Sequence, residues 1–196
     1  MKLLLTTLLA STFLTGATPS NINWLGNTEP EETQEVKEEL IPPAIKWTAE
    51  GLNENEKVTL KFLQEQGITD KMALSVVMGN IKQESKFLPN ICEGGARVPY
   101  NRCHRGGYGL VQWTTSYRYW GLGNHAKSVS GDPSTLETQL SYMVTEREWK
   151  KAARLFKNPN QSKEYYMRGA NIWLGWGIYG NRGYYSTQYF QQLSPS

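Results

Sequence analysis

Apolar residues recur at intervals of three and four in several segments of the chain, the pattern of helices with one buried face. Each segment is bounded by a capping residue, a glycine or a proline. Thr69 or Asp70 caps the second helix, a capping box at residues 134–137 starts the third, and Ser162 caps the fourth. The predicted helices cover residues 57–66, 70–87, about 135–156, 163–173 and 183–193.

Residues 90–112 lack this repeat and contain clusters of glycine, proline and asparagine instead. Such clusters predict turns. We expect a long glycine-rich loop here, with short strands or a small hairpin. The pattern as a whole predicts a mainly α domain with irregular loops.

The N-terminal residues have the features of an export signal. Lys2 precedes an apolar run from Leu3 to Leu14, and Thr15-Gly16-Ala17 supplies small residues for cleavage. We therefore predict a signal peptide at residues 1–17 and no stable membrane insertion after its removal. The alternative is an uncleaved anchor, for which the apolar run is short.

A composition change separates this signal from the rest of the chain. Residues 18–45 are rich in Pro, Thr, Asn and Glu and predict an acidic, solvated linker. Residues 46–196 form the predicted domain. From residue 57 onward the chain has eighteen basic and nine acidic residues, a net charge of +9. An exported basic domain suits an anionic partner such as a cell-wall polymer, and export argues against nucleic acid.

One carboxylate lies on an apolar helix face. Glu84 is in helical register with four apolar positions, which are Ala73, Val77, Ile81 and Leu88. Burial would raise the pKa of this glutamate, and a protonated carboxyl can donate a proton to a leaving oxygen. The alternatives are a glutamate turned toward solvent and a buried one satisfied by backbone amides.

The other acidic residues between residues 57 and 196 have simpler interpretations. Two of them suit helix capping and four suit solvated helix faces. Glu93 and Asp132 lie in predicted loops. The capping pair is Asp70 and Glu137, and the solvated set is Glu65, Glu146, Glu148 and Glu164.

Two segments resemble the lysozyme-like superfamily, and phage tail lysozyme domains most closely. They are GNIKQESKFLPN at residues 79–90 and GGYGLVQWT at residues 106–114, and the resemblance extends over about residues 57–190. It implies a lysozyme-like α+β fold in which the glycine-rich loop forms one wall of a glycan cleft. It also implies cleavage of the MurNAc–GlcNAc β-1,4 bond of peptidoglycan, by hydrolysis or lytic transglycosylation, with Glu84 as the general acid.

The resemblance further implies that Gln112 and its neighbours line the sugar cleft. Aromatic side chains there could stack on sugar rings, although Trp113 suits a core position equally well. Three arginines near these loops, Arg105, Arg118 and Arg182, could meet anionic wall groups. The candidate substrate-binding residues are Ser85, Tyr108, Gln112, Trp113, Thr114 and Tyr179.

The mechanism depends on whether a second carboxylate reaches the site. Glycosidases use two carboxylates about 5–5.5 Å apart for retention and about 6.5–9.5 Å apart for inversion. Glu93 and Asp132 are the candidates, by position alone. If neither serves, Glu84 is a lone acid/base and closure to an anhydromuramyl product becomes feasible. Family members pass between the two motifs by a shorter, cysteine-free loop, so residues 93–105 reshape one cleft wall here.

The two cysteines, Cys92 and Cys103, predict a disulfide because the chain is exported. Closing this loop should stabilise the fold by roughly 3 kcal/mol. The alternative is a cysteine peptidase with His104 or His125 as the base. No metal site is predicted because these residues lack a ligand spacing, and no cofactor is predicted.

A third hypothesis is a wall-binding module without catalysis, motivated by the missing second acid. We expect peptidoglycan glycan strands as the partner and no nucleic acid. The expected state is a monomer, unless the protein is part of a virion. The expected location is outside the cytoplasm, in the periplasm, cell wall or medium, with virion association as the other case.

Overall fold

The computed structural model describes residues 45–196, and within them helices dominate. The signal peptide and all but the last residue of the linker lie outside the described residues. The prediction of a mainly α domain is confirmed. The helices are α1 (Glu54–Glu65), α2 (Lys71–Ser85), α3 (Ser116–Ser128), α4 (Leu136–Met143), α5 (Arg147–Phe156), α6 (Lys163–Leu174) and α7 (Arg182–Gln192). Among residues 45–196, no helix is long and apolar enough to cross a membrane.

Two short strands join the ends of the described chain. Strands β1 (Trp47–Thr48) and β2 (Ser194–Pro195) pair in antiparallel register, Trp47 opposite Pro195. The side chain of Gln64 on α1 fixes β1, because it accepts a hydrogen bond from Trp47 N and donates one to Trp47 O. The sequence analysis did not predict this sheet, since two-residue strands leave no alternating pattern to detect.

Helix α2 is the central element of the core. Asp70 caps it by accepting a hydrogen bond from the backbone amide of Ala73 at 2.9 Å, which settles the choice between Thr69 and Asp70. Every residue from Ala73 to Ile81 is buried, on all sides of the helix. The helix ends at Ser85 because Lys86 and Phe87 adopt left-handed backbone conformations, with φ of 53° and 62°.

Helices α2 and α7 pack backbone against backbone. A Cβ atom on Gly79 would lie only 2.5 Å from the backbone nitrogen of Ser186, so only glycine fits this position. Farther along, the side chain of Gln83 accepts a hydrogen bond from Asn181 N at 2.8 Å. The helices are therefore antiparallel, and the last turn of α2 lies beside the first turn of α7.

Three helix boundaries differ from the predictions. Helix α1 begins earlier because Asn53 and Glu56 form a reciprocal capping box. The predicted helix over 135–156 is two helices, α4 and α5, interrupted at residues 144–146. Thr135 caps α4 by accepting from Thr138 N, whereas the Ser134 hydroxyl accepts from Tyr100 N.

Helix α3 was missed altogether. Two glycines, Gly121 and Gly123, interrupt its apolar pattern. Both glycines admit a tyrosine side chain from elsewhere in the fold: the hydroxyl of Tyr142 lies over Gly121, and that of Tyr100 lies over Gly123. The glycines therefore serve tertiary packing, which local helix propensity does not register.

Replacing Gly79 with alanine should destabilise the fold by about 3 kcal/mol, because the new methyl group overlaps the backbone of α7. Chemical denaturation followed by circular dichroism measures the free energy of unfolding. Gly177→Ala is the matched control, since a Cβ at Gly177 meets nothing within 4 Å. Equal stabilities of the two variants would contradict the close approach of α2 and α7.

Candidate active site

Glu84 lies in the last turn of α2, with its side chain 15% exposed. Of the predicted apolar stripe, Ala73, Val77 and Ile81 are fully buried, as is every other residue between them. Leu88 is half-buried and lies beyond the end of the helix. Nη2 of Arg182, in the first turn of α7, donates a short hydrogen bond to Oε1 of Glu84. Within residues 45–196, no group donates a hydrogen bond to the second oxygen, Oε2. One oxygen of this carboxyl is therefore held and the other is available.

Arg182 is held by the segment that precedes α7 and by Glu84, although its buried Nε has no hydrogen-bond partner among residues 45–196. Its Nη1 donates to the carbonyl oxygens of Ile178 and Tyr179 at 3.2 and 3.0 Å. Its guanidinium carbon lies 4.8 Å from the centre of the Trp176 ring. The side chain is only 6% exposed. The expectation that Arg182 meets anionic wall groups is therefore wrong: its charge is directed at Glu84.

Burial raises the pKa of Glu84 above its ordinary value. The positive charges of Arg182 and Arg118 act in the opposite direction and reduce this shift without cancelling it. A carboxyl in this condition retains its proton to higher pH than a solvated glutamate. The site thus contains a partly exposed carboxyl with a raised pKa and one anchored oxygen.

The glycine-rich segment lies on the other side of the end of α2. Ser85 donates from its hydroxyl to the carbonyl oxygen of Leu110 at 2.7 Å. Gln139 on α4 accepts from Leu110 N at 2.7 Å and donates to the carbonyl oxygens of Pro89 and Pro133. These contacts fix the turn between Gly109 and Gln112 beside Glu84.

This turn is the tip of the small hairpin expected between residues 90 and 112. Isolated bridges join Cys92 to Tyr108 and Tyr108 to Trp113. Gly109 has a φ of 75° and packs directly on the side chain of Gln139. Gln112 has a φ of 51°, and its side-chain nitrogen Nε2 donates hydrogen bonds to Gly109 O and Ile91 O.

The candidate substrate-binding residues divide into accessible and buried groups. Thr114 and Tyr179 are exposed and Gln112 is half-buried, so all three can touch a ligand. Tyr108 and Trp113 are fully buried, and the expectation that they stack on sugars is wrong. Their polar atoms are used internally, the indole N–H of Trp113 by Glu146 and the hydroxyl of Tyr108 by Val98 O.

Ser85 is also buried, with 2% exposure, and its hydroxyl is occupied by Leu110 O. The expectation that Ser85 binds substrate is therefore wrong as well. Its contact instead holds the Gly109–Gln112 turn against α2. Ser85 is a positioning residue for the site.

Neither candidate for a second acid contacts Glu84. Glu93 is exposed, and its Oε2 accepts a hydrogen bond from Gly107 N at 2.9 Å. Asp132 is exposed, and its Oδ1 accepts from Ser134 N at 2.8 Å. Each carboxylate therefore already stabilises a backbone turn.

Two buried glutamates escaped the sequence analysis. Glu146 was expected on a solvated face but is 6% exposed and pairs with Arg118 at 2.6 Å, so Arg118 does not meet wall groups either. Glu56 is 4% exposed and accepts from Lys82 and Tyr189. Arg118, Lys82 and Tyr189 lie 26 to 133 residues away from these glutamates in the sequence, so no local pattern reveals the pairs.

The predicted disulfide between Cys92 and Cys103 is confirmed, with Cα atoms 5.6 Å apart. The described residues contain no free cysteine. The cysteine-peptidase alternative is therefore wrong, because neither sulfur is available as a thiolate nucleophile. Residues 45–196 also contain no group of three His, Cys, Asp or Glu side chains that could hold a metal ion.

Two cavities flank the site without including Glu84. One, of about 340 Å³, lies between α6 and the segment before α7 and is lined by Trp176 and Tyr179. Another, of about 490 Å³, borders Thr114 and Arg105. A larger cavity of about 590 Å³ lies elsewhere, between β1 and α1, around Trp47.

Glu84 and Glu56 should make opposite contributions to stability as the pH changes. The raised pKa of Glu84 means that its stabilising contribution is full below about pH 4.5 and is lost as the pH rises through its folded pKa. Burial also opposes ionisation of Glu56, but Lys82, Tyr189 and the amide of Asn53 lower its pKa below the ordinary value. Its contribution is present above about pH 4.5 and is lost as the pH falls.

Unfolding free energies of the wild type, Glu84→Gln and Glu56→Gln between pH 4 and pH 8 measure both effects. As the pH rises, Glu84→Gln should become more stable relative to the wild type and Glu56→Gln less stable. Parallel pH profiles for the wild type and Glu84→Gln would contradict the raised pKa of Glu84.

The comparison with protein families agrees with this geometry. A family model described as phage tail lysozyme matches residues 54–176, more than half of the chain. The match includes Glu84 and the Gly109–Gln112 turn, whereas Arg182 lies beyond it. No curated protein and no solved structure matches the chain. The match indicates peptidoglycan hydrolysis in general, which is a glycosidase activity, and action at a cell wall or in a virion. The chain belongs to the phage tail lysozyme family.

Proposed function

We propose that this protein cleaves the glycan strand of peptidoglycan at the MurNAc–GlcNAc β-1,4 bond, with Glu84 as the general acid. The observation that carries the proposal is the state of this carboxyl. It is mostly buried, its pKa is raised, and within residues 45–196 only one of its oxygens accepts a hydrogen bond. These are the properties that a proton donor to a glycosidic oxygen requires.

The first step is proton transfer from Oε2 of Glu84 to the glycosidic oxygen. The bond between that oxygen and the anomeric carbon breaks, and positive charge develops on the sugar ring. Glu84 becomes a carboxylate in a partly buried site, where an isolated negative charge is costly. The guanidinium of Arg182, already bonded to Oε1, stabilises this charge without having to move.

The second step restores the protonated form of Glu84. A nucleophile forms a bond to the anomeric carbon and gives up its proton to the carboxylate, which acts as a base. The nucleophile is water in hydrolysis and the 6-hydroxyl of the muramyl residue itself in lytic transglycosylation. Both routes restore the starting enzyme, and the saccharide ends of the products distinguish them.

Glu84 serves both steps alone in this proposal. The placement of the other two candidate acids supports a lone acid/base. The carboxylates of Glu93 and Asp132 are exposed, and each accepts a hydrogen bond from a backbone amide outside the site around Glu84. A lone acid/base suffices when one group donates a proton to the leaving oxygen and later takes up another from the nucleophile. No second carboxylate is then needed to orient the nucleophile.

The glycan binds across the end of α2 in this proposal, between Tyr179 and the hairpin tip. Tyr179 is 51% exposed and lines a cavity together with Trp176. On the opposite side, Gln112 and Thr114 offer polar groups to sugar hydroxyls. Tyr179 would supply an apolar ring face to the C–H face of a sugar.

The proposed setting is extracytoplasmic. Residues 1–17 act as an export signal and residues 18–45 as a linker to the domain at 46–196. The mature protein reaches peptidoglycan as a monomer in this proposal. Incorporation into a virion is the other arrangement compatible with the family.

Glu84→Gln should reduce the release of fragments from dye-labelled peptidoglycan by at least about 10²-fold, because the amide has no acidic proton to donate. The variant should remain folded, since the amide oxygen can still accept from Arg182. Glu93→Gln and Asp132→Asn are the matched controls and should stay within about threefold of the wild type. Near wild-type activity of Glu84→Gln would contradict the assignment, and a loss of about 10²-fold in either control would contradict the lone acid/base.

A further inference from the structure

The cavity beside Thr114 lies against the disulfide-bonded loop. We call it the disulfide-loop cavity. It has a volume of about 490 Å³, which falls in the range of small-molecule sites. The family match over residues 54–176 spans this loop. The lining residues used below are Tyr100, His104, Arg105, Thr114, Tyr119 and Trp120.

The floor of the disulfide-loop cavity is rigid. The rings of Tyr100 and Tyr119 stack with their centres 4.2 Å apart and their planes within 13°. The hydroxyl of Tyr100 donates to Tyr119 O, and the hydroxyl of Tyr119 donates to Tyr100 O and Cys103 O. The disulfide of Cys103 closes the same loop. A ligand would therefore meet a preformed surface and would not have to order it.

The charge of the disulfide-loop cavity favours an anion. Arg105 and His104 line it, and no Asp or Glu side chain is among its lining residues. Among residues 45–196, no carboxylate lies within ion-pair distance of the Arg105 guanidinium. Within the described residues, Arg105 therefore offers a planar array of donors that forms no ion pair, and this array matches a carboxylate. Glu93 packs against the lining residue Gly106, but its Oε2 accepts from Gly107 N.

An aromatic surface adjoins this charge. The indole of Trp120 is 65% exposed, although it is a large apolar group. An exposed tryptophan beside an arginine suits a ligand with both an apolar part and an anionic group. Free phosphate or a bare sugar would use only half of this surface.

The disulfide-loop cavity and the proposed glycan cleft share one hairpin. Thr114 lines the cavity, and Gln112 lies two residues earlier at the hairpin tip beside the end of α2. Peptidoglycan carries a peptide with free carboxylates on its muramyl residues. A strand held at the hairpin tip would bring such a peptide close to the cavity.

We propose that the disulfide-loop cavity binds the peptide stem of peptidoglycan, with Arg105 pairing with a stem carboxylate and Trp120 covering the adjacent apolar part. The inference rests on the proposed function and deepens it, because it makes the enzyme selective for glycan that carries peptide. The stem is favoured over a phosphate polymer because it is covalently part of the proposed substrate.

The test compares the binding of two ligands to the wild-type full chain by isothermal titration. One is the GlcNAc–MurNAc disaccharide bearing a stem peptide with free carboxylates, and the other is the same compound with those carboxylates amidated. Neither contains the MurNAc–GlcNAc linkage, so neither is cleaved. The free-carboxylate ligand should bind about tenfold more tightly.

Arg105→Ala should abolish the preference for the free-carboxylate ligand. Trp120→Ala should lower the affinity for both ligands and leave the preference intact. Arg102→Ala is the matched control, because Arg102 is an exposed arginine of the same loop that does not line the cavity. It should keep the tenfold preference. Equal affinity of the wild type for both ligands, or the same loss in Arg102→Ala as in Arg105→Ala, would overturn the proposal.

A competition with poly(glycerol phosphate) separates the two sources of anionic charge. Displacement of the stem ligand by this polymer at a lower concentration than by the stem ligand itself would overturn the proposal. Failure of the proposed function is a different result. If the proposed function fails, the wild type releases no saccharide fragments from peptidoglycan, whether or not it binds the free-carboxylate ligand more tightly.

Discussion

The contact between Gly79 and Ser186 fixes the geometry on which the site depends. Because glycine has no side chain, α2 and α7 approach until their backbones meet, and they do so in antiparallel orientation. Arg182 at the start of α7 then lies against Glu84 at the end of α2. A wider spacing of these helices would separate the Arg182 guanidinium from the Glu84 carboxyl and admit water between them.

The two buried glutamates on α1 and α2 show how the surroundings decide the state of a carboxyl. Burial raises the pKa of both. Glu56 accepts hydrogen bonds from Lys82, Tyr189 and the amide of Asn53, and these lower its pKa overall. Among residues 45–196, Glu84 accepts one from Arg182 alone, and its pKa stays raised. The first is a structural ion-pair partner, whereas the second holds a proton to higher pH than a solvated glutamate does.

The sequence revealed Glu84 but not the group that controls it. A helical repeat relates residues along one helix, so Glu84 could be singled out from its register with Ala73, Val77 and Ile81, whereas Leu88 of the predicted stripe lies beyond the helix. Arg182 lies 98 residues away and is brought to Glu84 only by the packing of α7 on α2. The Cys92–Cys103 disulfide was predictable because two nearby cysteines behind a predicted export signal leave few other outcomes.

The aromatic residues beside the second motif show the limit of such reasoning. Core positions and sugar-binding positions both select large rings, so the sequence could not separate Trp113 in the core from Tyr179 at the surface. Helix α3 was missed because its glycines accept tyrosines from distant segments. In each case the deciding contact is tertiary and leaves no local periodicity.

The most direct test of the account is the chemical identity of the ends that the full chain creates in purified peptidoglycan. Mass spectrometry of the soluble fragments should find new saccharide ends, either reducing or 1,6-anhydro, on fragments whose peptide stems are intact. The same digest with Glu84→Gln should release none. New amino termini, or the same saccharide ends released by Glu84→Gln, would contradict glycan cleavage by Glu84.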